Sequence, residues 1–150
     1  MSEARLDYVV VEGPIGVGKS LLAEQIAERL GATALLERSQ ENPFLERFYR
    51  NPREGAFPTQ LFFLMQRAEM LSRMRQNDLF EPRHVADFLF AKDRLFAELN
   101  LDANEFALYD RVWQTLAPSV PAPDLVIYLQ APVELLQAKL KRYAKGPERT

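Results

Sequence analysis

The run Gly13-Pro14-Ile15-Gly16-Val17-Gly18-Lys19-Ser20 fits G-x-x-x-x-G-K-S and directly follows the apolar, β-branched stretch Tyr8-Val9-Val10-Val11. Leu21, Leu22, Ile26 and Leu30 then recur at helical spacing, so a buried strand, a glycine-rich turn and a helix start arrive in that order. The order suits a phosphate site. Gly13, Gly16 and Gly18 allow backbone conformations that let successive N–H groups converge on phosphate oxygens at the positive end of the helix. Lys19 adds a charge for the terminal phosphates, and the Ser20 hydroxyl suits a hard, oxygen-seeking Mg²⁺ ion. A nucleoside triphosphate is the expected ligand; an ordinary glycine-rich strand-to-helix turn is the alternative.

The chain has 150 residues, 47% of them hydrophobic, enough for one core, and a single domain over residues 1–150 is expected. Nineteen basic and 21 acidic residues leave a net charge of −2 with no long single-sign run, which points to small-molecule partners and no nucleic acid. The absence of cysteine excludes disulfides, thiolate zinc sites and thiol nucleophiles, and agrees with a reducing cytoplasm. His84 is the single histidine, so multi-histidine metal sites are excluded. The N-terminus is polar and Glu12 and Gly13 break the first apolar run, which is too short for a signal peptide or a membrane span. A soluble cytoplasmic protein without a membrane partner is expected.

Strands are predicted at Tyr8 to Glu12, Thr33 to Glu37, His84 to Phe88 and Leu125 to Leu129, and helices over 19–30, 57–77, 91–99, 104–116 and 132–144. Phe57, Leu61, Leu64, Ala68 and Leu71 give the second helix its amphipathic stripe. Alternation of strands and helices predicts an α/β fold around a mostly parallel central sheet flanked by helices, with ligands at the carboxyl ends of the strands. That edge carries Gly13 to Ser20, Glu37 and Asp87. Pro118, Pro121 and Pro123 mark a loop before the fourth strand.

A phosphate loop does not by itself separate kinases from GTPases, motor ATPases or binders. Neither N-K-x-D nor D-x-x-G occurs, which weakens the guanine-switch reading. Other residues are more telling. Glu37, then Glu41-Asn42-Pro43-Phe44-Leu45 and Phe48-Tyr49, then Ala56-Phe57-x-x-Gln60 leading to Phe63-Leu64-x-x-Arg67, and finally Asp87 with Asp93-Arg94, resemble the deoxynucleoside kinase family, especially its bacterial deoxyguanosine and deoxyadenosine kinases. The resemblance runs from about Tyr8 to Lys145 and implies a three-layer P-loop kinase fold.

It also implies roles. Glu37 would accept the proton of the nucleoside 5′-hydroxyl and Tyr49 would bind the sugar 3′-hydroxyl. Gln60 would meet the base edge, while Arg67 and Asp93 would form a donor and acceptor set that selects the nucleobase. Asp87, with Ser20, would hold Mg²⁺, and ATP would be the phosphate donor. The implied reaction is phosphorylation of a deoxynucleoside, purine preferred, in nucleotide salvage, by a homodimer. Helical geometry is consistent with this reading, because Gln60 and Arg67 stand seven residues apart, close to two turns, on one face. The bland alternatives are an exposed strand-end carboxylate for Glu37, a solvated stripe for Gln60 and Arg67, and a first-turn helix charge for Asp93. Asp110-Arg111 reads as surface, and Phe57, Phe62, Phe63, Met65 and Trp113 read mostly as core.

Two departures stand out. Many members of the family have Arg and Ser after the metal-binding acid, where this chain has Phe88 and Leu89. The family also continues past an arginine-bearing lid into a further helix and a fifth strand. Lys139, Arg142 and Lys145 are the candidate lid cations here, and the downstream part of the family fold is expected to be missing. Two other readings remain at this stage: a nucleoside monophosphate kinase of the thymidylate type, and a module that holds nucleotide without transferring phosphate.

Overall fold

The apolar run before the glycines forms strand β1, Tyr8–Glu12, and all of it is buried. In the computed structural model, which describes residues 6–14, 18–76 and 83–143 except the side chains of residues 139, 140, 142 and 143, β1 is joined by β2 (Thr33–Leu35), β3 (His84–Ala86) and β4 (Leu125–Tyr128). The strand order is β2-β3-β1-β4 and the pairings are parallel, with Val9 opposite both Val85 and Leu125. Central parallel strands are covered on both faces, which is why Tyr8 to Val11 of β1 read as a continuous apolar run and not as an alternating one. The helices of the described residues are α1 (Lys19–Leu30), α2 (Leu45–Arg50), α3 (Pro52–Gln76), α4 (Phe90–Asn100), α5 (Ala103–Leu116) and α6 (Val133–Tyr143). No helix of the described residues is long and apolar enough to cross a membrane.

The chain packs as two compact units. The first comprises Met1–Leu36, Asp78–Phe88 and Ala122–Thr150 and contains the sheet with α1 and α6. Gly18 caps α1 at φ 91°, a left-handed conformation that glycine takes without Cβ strain. Ala23 and Ala27 pack against Val9, Val11 and Val85, with Leu22, Ile26 and Ile127 at the margins. The expected stripe is therefore only half right, because Leu21 is 62% exposed and Leu30 is exposed too. Small alanines let the helix lie close to the sheet, and the helical rotation of about 100° per residue turns the neighbouring leucines outward. Asp124 Oδ2 accepts the N–H groups of Asp7 and Tyr8 at 3.0 and 2.9 Å, fixing the start of β4 beside β1.

The second unit comprises Glu37–Asn77 and Leu89–Pro121 and is built on α3, against which α2, α4 and α5 pack. The predicted helix over 57–77 starts earlier, at Pro52, and carries Pro58 inside it. Proline fits the first helical position because its missing N–H has no partner there in any case. The six-residue α2 was not foreseen; so short a helix shows no hydrophobic period. It lies so close to α3 that a Cβ on Gly55 would come within 2.3 Å of the Phe48 backbone nitrogen. Asn42 ties this corner together. Its Nδ2 donates to the Thr59 carbonyl at 3.1 Å, and its Oδ1 accepts the Phe44 N–H at 3.0 Å, which starts the turn into α2. Asp102 and Glu105 form a capping box at the start of α5, and Phe90 of α4 stacks on Trp113 of α5 at 4.5 Å.

The predicted strands also end early: β2 stops at Leu35, β3 at Ala86 and β4 at Tyr128. Asp87 and Leu129 follow their strands directly, and Glu37 lies two residues past the end of β2. Asp87 and Leu129 still make one backbone bond each, to Leu35 and Glu12 at 3.2 and 2.8 Å. Glu37 is the first residue of the second unit, where the chain has left the sheet.

Candidate active site

In the first unit, parallel pairing of β1 with β3 puts the start of α1 next to the residue that follows β3. The Ser20 hydroxyl donates to Asp87 Oδ2 at 2.5 Å, and Asp87 itself is 1% exposed. This pair was expected as a metal set, and the fold brings its members together across 67 residues of sequence. One carboxylate and one hydroxyl suit Mg²⁺, which keeps several waters and takes phosphate oxygens for the rest. No group of three or more acidic or histidine side chains that could hold a metal occurs among the described residues.

Lys19 meets a residue the sequence reading passed over. Glu12 Oε1 accepts from Lys19 Nζ at 3.2 Å and from the Gly13 N–H at 2.8 Å, and Glu12 is 4% exposed. A carboxylate at the end of a buried strand, seven residues before the loop lysine, was the signal available. Pro14 and Gly18 are described, whereas Ile15, Gly16 and Val17 lie outside the described residues.

In the second unit, one guanidinium joins two acids. Arg67 on α3 donates through Nε to Glu37 Oε1 at 2.8 Å and through Nη2 to the same oxygen, while its Nη1 donates to Asp93 Oδ1 on α4. The Phe63 ring, one turn earlier on α3, lies 4.7 Å from the Arg67 guanidinium carbon. Tyr109 on α5 donates its hydroxyl to Asp93 Oδ2. This chain of four residues crosses the loop after β2 and three helices. Tyr109 was not foreseen, since a tyrosine on an amphipathic helix carries no sequence mark of its own.

Burial pushes the Asp93 carboxyl above the ordinary aspartate range, with the Arg67 charge and the Tyr109 hydroxyl holding it back. Burial works against the charge on Arg67, but Glu37 and Asp93 outweigh it and raise the guanidinium further. Burial, then the Asp93 charge, raises the Tyr109 phenol, so it remains a donor.

The solvated-stripe alternative fails for Gln60 and Arg67, whereas Asp93 does stand in the first turn of α4, as its alternative had it, though with its side chain buried. The side chains of Arg67 and Asp93 are 15% and 0% exposed, and Gln60 is buried on the same helix as Arg67. Tyr49 sits on α2, partly exposed, with its ring 5.7 Å from that of Phe48. Phe88 is buried and offers no polar group after Asp87. Asp110 pairs with Arg94 at 2.9 Å, whereas Arg111 is exposed. Met65, expected in the core, is 57% exposed, while Phe57, Phe62, Phe63 and Trp113 are half-buried. Of the lid candidates, Lys139 and Arg142 lie on α6 with side chains outside the described residues, and Lys145 is outside them altogether.

Comparison with known proteins gives the family of the chain. A family model described as deoxynucleoside kinase matches residues 9–150. The chain is 29% identical over 143 residues to the deoxyguanosine kinase of Bacillus subtilis, covering 95% of this chain and 69% of that protein. It is 28% identical over 153 residues to the deoxyadenosine kinase of Lactobacillus acidophilus, with the same two coverages, 95% and 69%. A solved structure of deoxyadenosine kinase from M. mycoides superposes with a TM-score of 0.77 at 23% identity, covering 94% of this chain and 73% of that one. The fold is thus that of the P-loop kinases, as the resemblance implied, around the mostly parallel sheet that the alternation of strands and helices predicted.

Proposed function

Because the chain belongs to the deoxynucleoside kinase family, and so phosphorylates deoxynucleosides, we propose that its donor is ATP and its preferred acceptor a purine deoxynucleoside. The 5′-hydroxyl oxygen attacks the γ-phosphorus, the bond from that phosphorus to the β-γ bridging oxygen breaks, and ADP leaves. Glu37 takes the hydroxyl proton. Such transfer depends on positioning and charge stabilisation more than on a strong base, which suits a carboxylate held by an arginine.

The backbone N–H groups of residues 13–20 and the Lys19 ammonium bind the phosphates in this reading. Ser20 and Asp87 hold Mg²⁺, which supplies charge neutralisation to the phosphate oxygens. Arg67 and Asp93 read the nucleobase with Gln60, and Tyr49 binds the sugar 3′-hydroxyl. The observation that carries the proposal is the Arg67 guanidinium donating to both Glu37 and Asp93, an arrangement suited to an uncharged acceptor. A monophosphate acceptor needs cations for its own phosphate. The purine preference draws support from relatives named for deoxyguanosine and deoxyadenosine.

A cytoplasmic homodimer belongs to the same reading. The exposed apolar side chains of Leu95 and Leu99 on α4 support the dimer, and light scattering tests it. The activity is tested by incubating the protein with ATP, Mg²⁺ and each of the four deoxynucleosides. Monophosphate is expected with deoxyguanosine or deoxyadenosine at the highest kcat/KM. Faster turnover of a pyrimidine overturns the preference, and no product with any of them overturns the whole.

A further inference from the structure

Tyr109 is fully buried on α5, and its hydroxyl donates to the one oxygen of Asp93 that Arg67 does not occupy. Asp93 therefore has one partner on each oxygen, and its position is set from two helices. The Arg67 guanidinium is planar and its donors point in fixed directions, so the placement of Asp93 also sets the angle at which Nε and Nη2 reach Glu37. We propose that Tyr109 is a positioning residue for the phosphoryl-transfer reaction, holding Asp93 so that Arg67 presents Glu37 to the acceptor hydroxyl. This rests on the proton-acceptor role of Glu37 proposed above.

The far side of Tyr109 is also held. Its ring stacks on Phe106 at 6.1 Å, and Arg94 lies 5.2 Å from the Phe106 ring while pairing with Asp110 at 2.9 Å. Removing the hydroxyl thus leaves the ring in place and releases one oxygen of a buried carboxylate. Asp93 and Arg67 can then rotate, and the same motion reaches both the base-reading pair and Glu37. One consequence is specific: acceptor discrimination and turnover change together, because both pass through a single guanidinium.

The test is Tyr109→Phe, with Arg67→Lys and the double variant, assayed for kcat and KM with ATP and with each purine deoxynucleoside. Tyr109→Phe is expected to lower kcat about 10-fold and to narrow the ratio of kcat/KM between the two purines, with KM for ATP unchanged. The double variant is expected to be no slower than Arg67→Lys alone, since the hydroxyl acts through Arg67. A merely structural tyrosine would lower Tm and leave the split between kcat and KM untouched. Wild-type kcat and discrimination in Tyr109→Phe, or losses that multiply in the double variant, overturn the proposal. Should Tyr109→Phe fail to fold, 3-fluorotyrosine placed at position 109 keeps ring and hydroxyl but alters donor strength. Altered kcat at unchanged Tm is then expected, and unaltered kcat overturns the proposal. Glu37→Gln separates the two ideas: full activity there removes the proton-acceptor reading itself, whereas an inactive Glu37→Gln beside an unaffected Tyr109→Phe removes only the positioning role.

Discussion

The hydroxyl of Ser20 and the carboxylate of Asp87 are joined by a 2.5 Å hydrogen bond, although one opens α1 and the other follows β3. Such a pair, one oxygen donor of each kind, has the chemistry that the proposed Mg²⁺ role asks for. Asp87→Asn removes the only charge of the pair. The Mg²⁺ concentration for half-maximal activity should rise at least about tenfold, with a smaller rise for Ser20→Ala, and a Mg²⁺ titration of initial rates checks both.

Lys19 is held by a buried acid, Glu12, at 3.2 Å. If Lys19 binds the phosphates as proposed, Lys19→Ala should raise KM for ATP and lower kcat together, since bound and reacting phosphates would both lose its charge. It should also leave Glu12 buried without its ammonium partner, lowering stability by about 1–3 kcal/mol. Denaturant titration of the variant measures this second effect separately from catalysis.

Gly55 is fixed by space. Since a Cβ would meet the backbone of Phe48 at 2.3 Å, Gly55→Ala must push α2 away from α3. A loss of about 1–3 kcal/mol is expected, readable as a lower Tm, with a rise in nucleoside KM because Tyr49 rides on α2.

Asp93 gives a pH dependence whose sign is fixed by burial. Its folded-state pKa is raised, so between the ordinary value, 3.8, and the folded value the native protein binds more protons than the unfolded chain. This contribution to stability is complete below 3.8 and is lost as pH rises through the folded value. Asp93→Asn does not titrate there. The Tm of the variant relative to wild type should therefore climb as pH rises across that window; a constant or falling difference contradicts the assignment.

What could be read from sequence was local. The strand and helix on either side of the glycines were legible because they are contiguous with that run, and the shared helix of Gln60 and Arg67 because their spacing is helical, although it was the resemblance that singled those two out. The pairing of Ser20 with Asp87 depends on β1 lying next to β3, which resemblance could suggest and spacing could not. Leu21 was misjudged because alanines, not leucines, meet the sheet in α1. Tyr109 and Glu12 escaped because their importance lies in which polar group each one meets across the fold, Asp93 and Lys19, and no periodicity encodes that. Phe88 stands where the resemblance led one to expect an arginine. Its buried ring adds no charge, and in the second unit it is Arg67 that pairs with Glu37.

The central claim is that Glu37 accepts the proton of the attacking hydroxyl. Its most direct test is the steady-state rate of Glu37→Gln with saturating ATP, Mg²⁺ and a purine deoxynucleoside. The account predicts kcat lower by about 10²-fold or more with little change in nucleoside KM. A raised KM at unchanged kcat would contradict it.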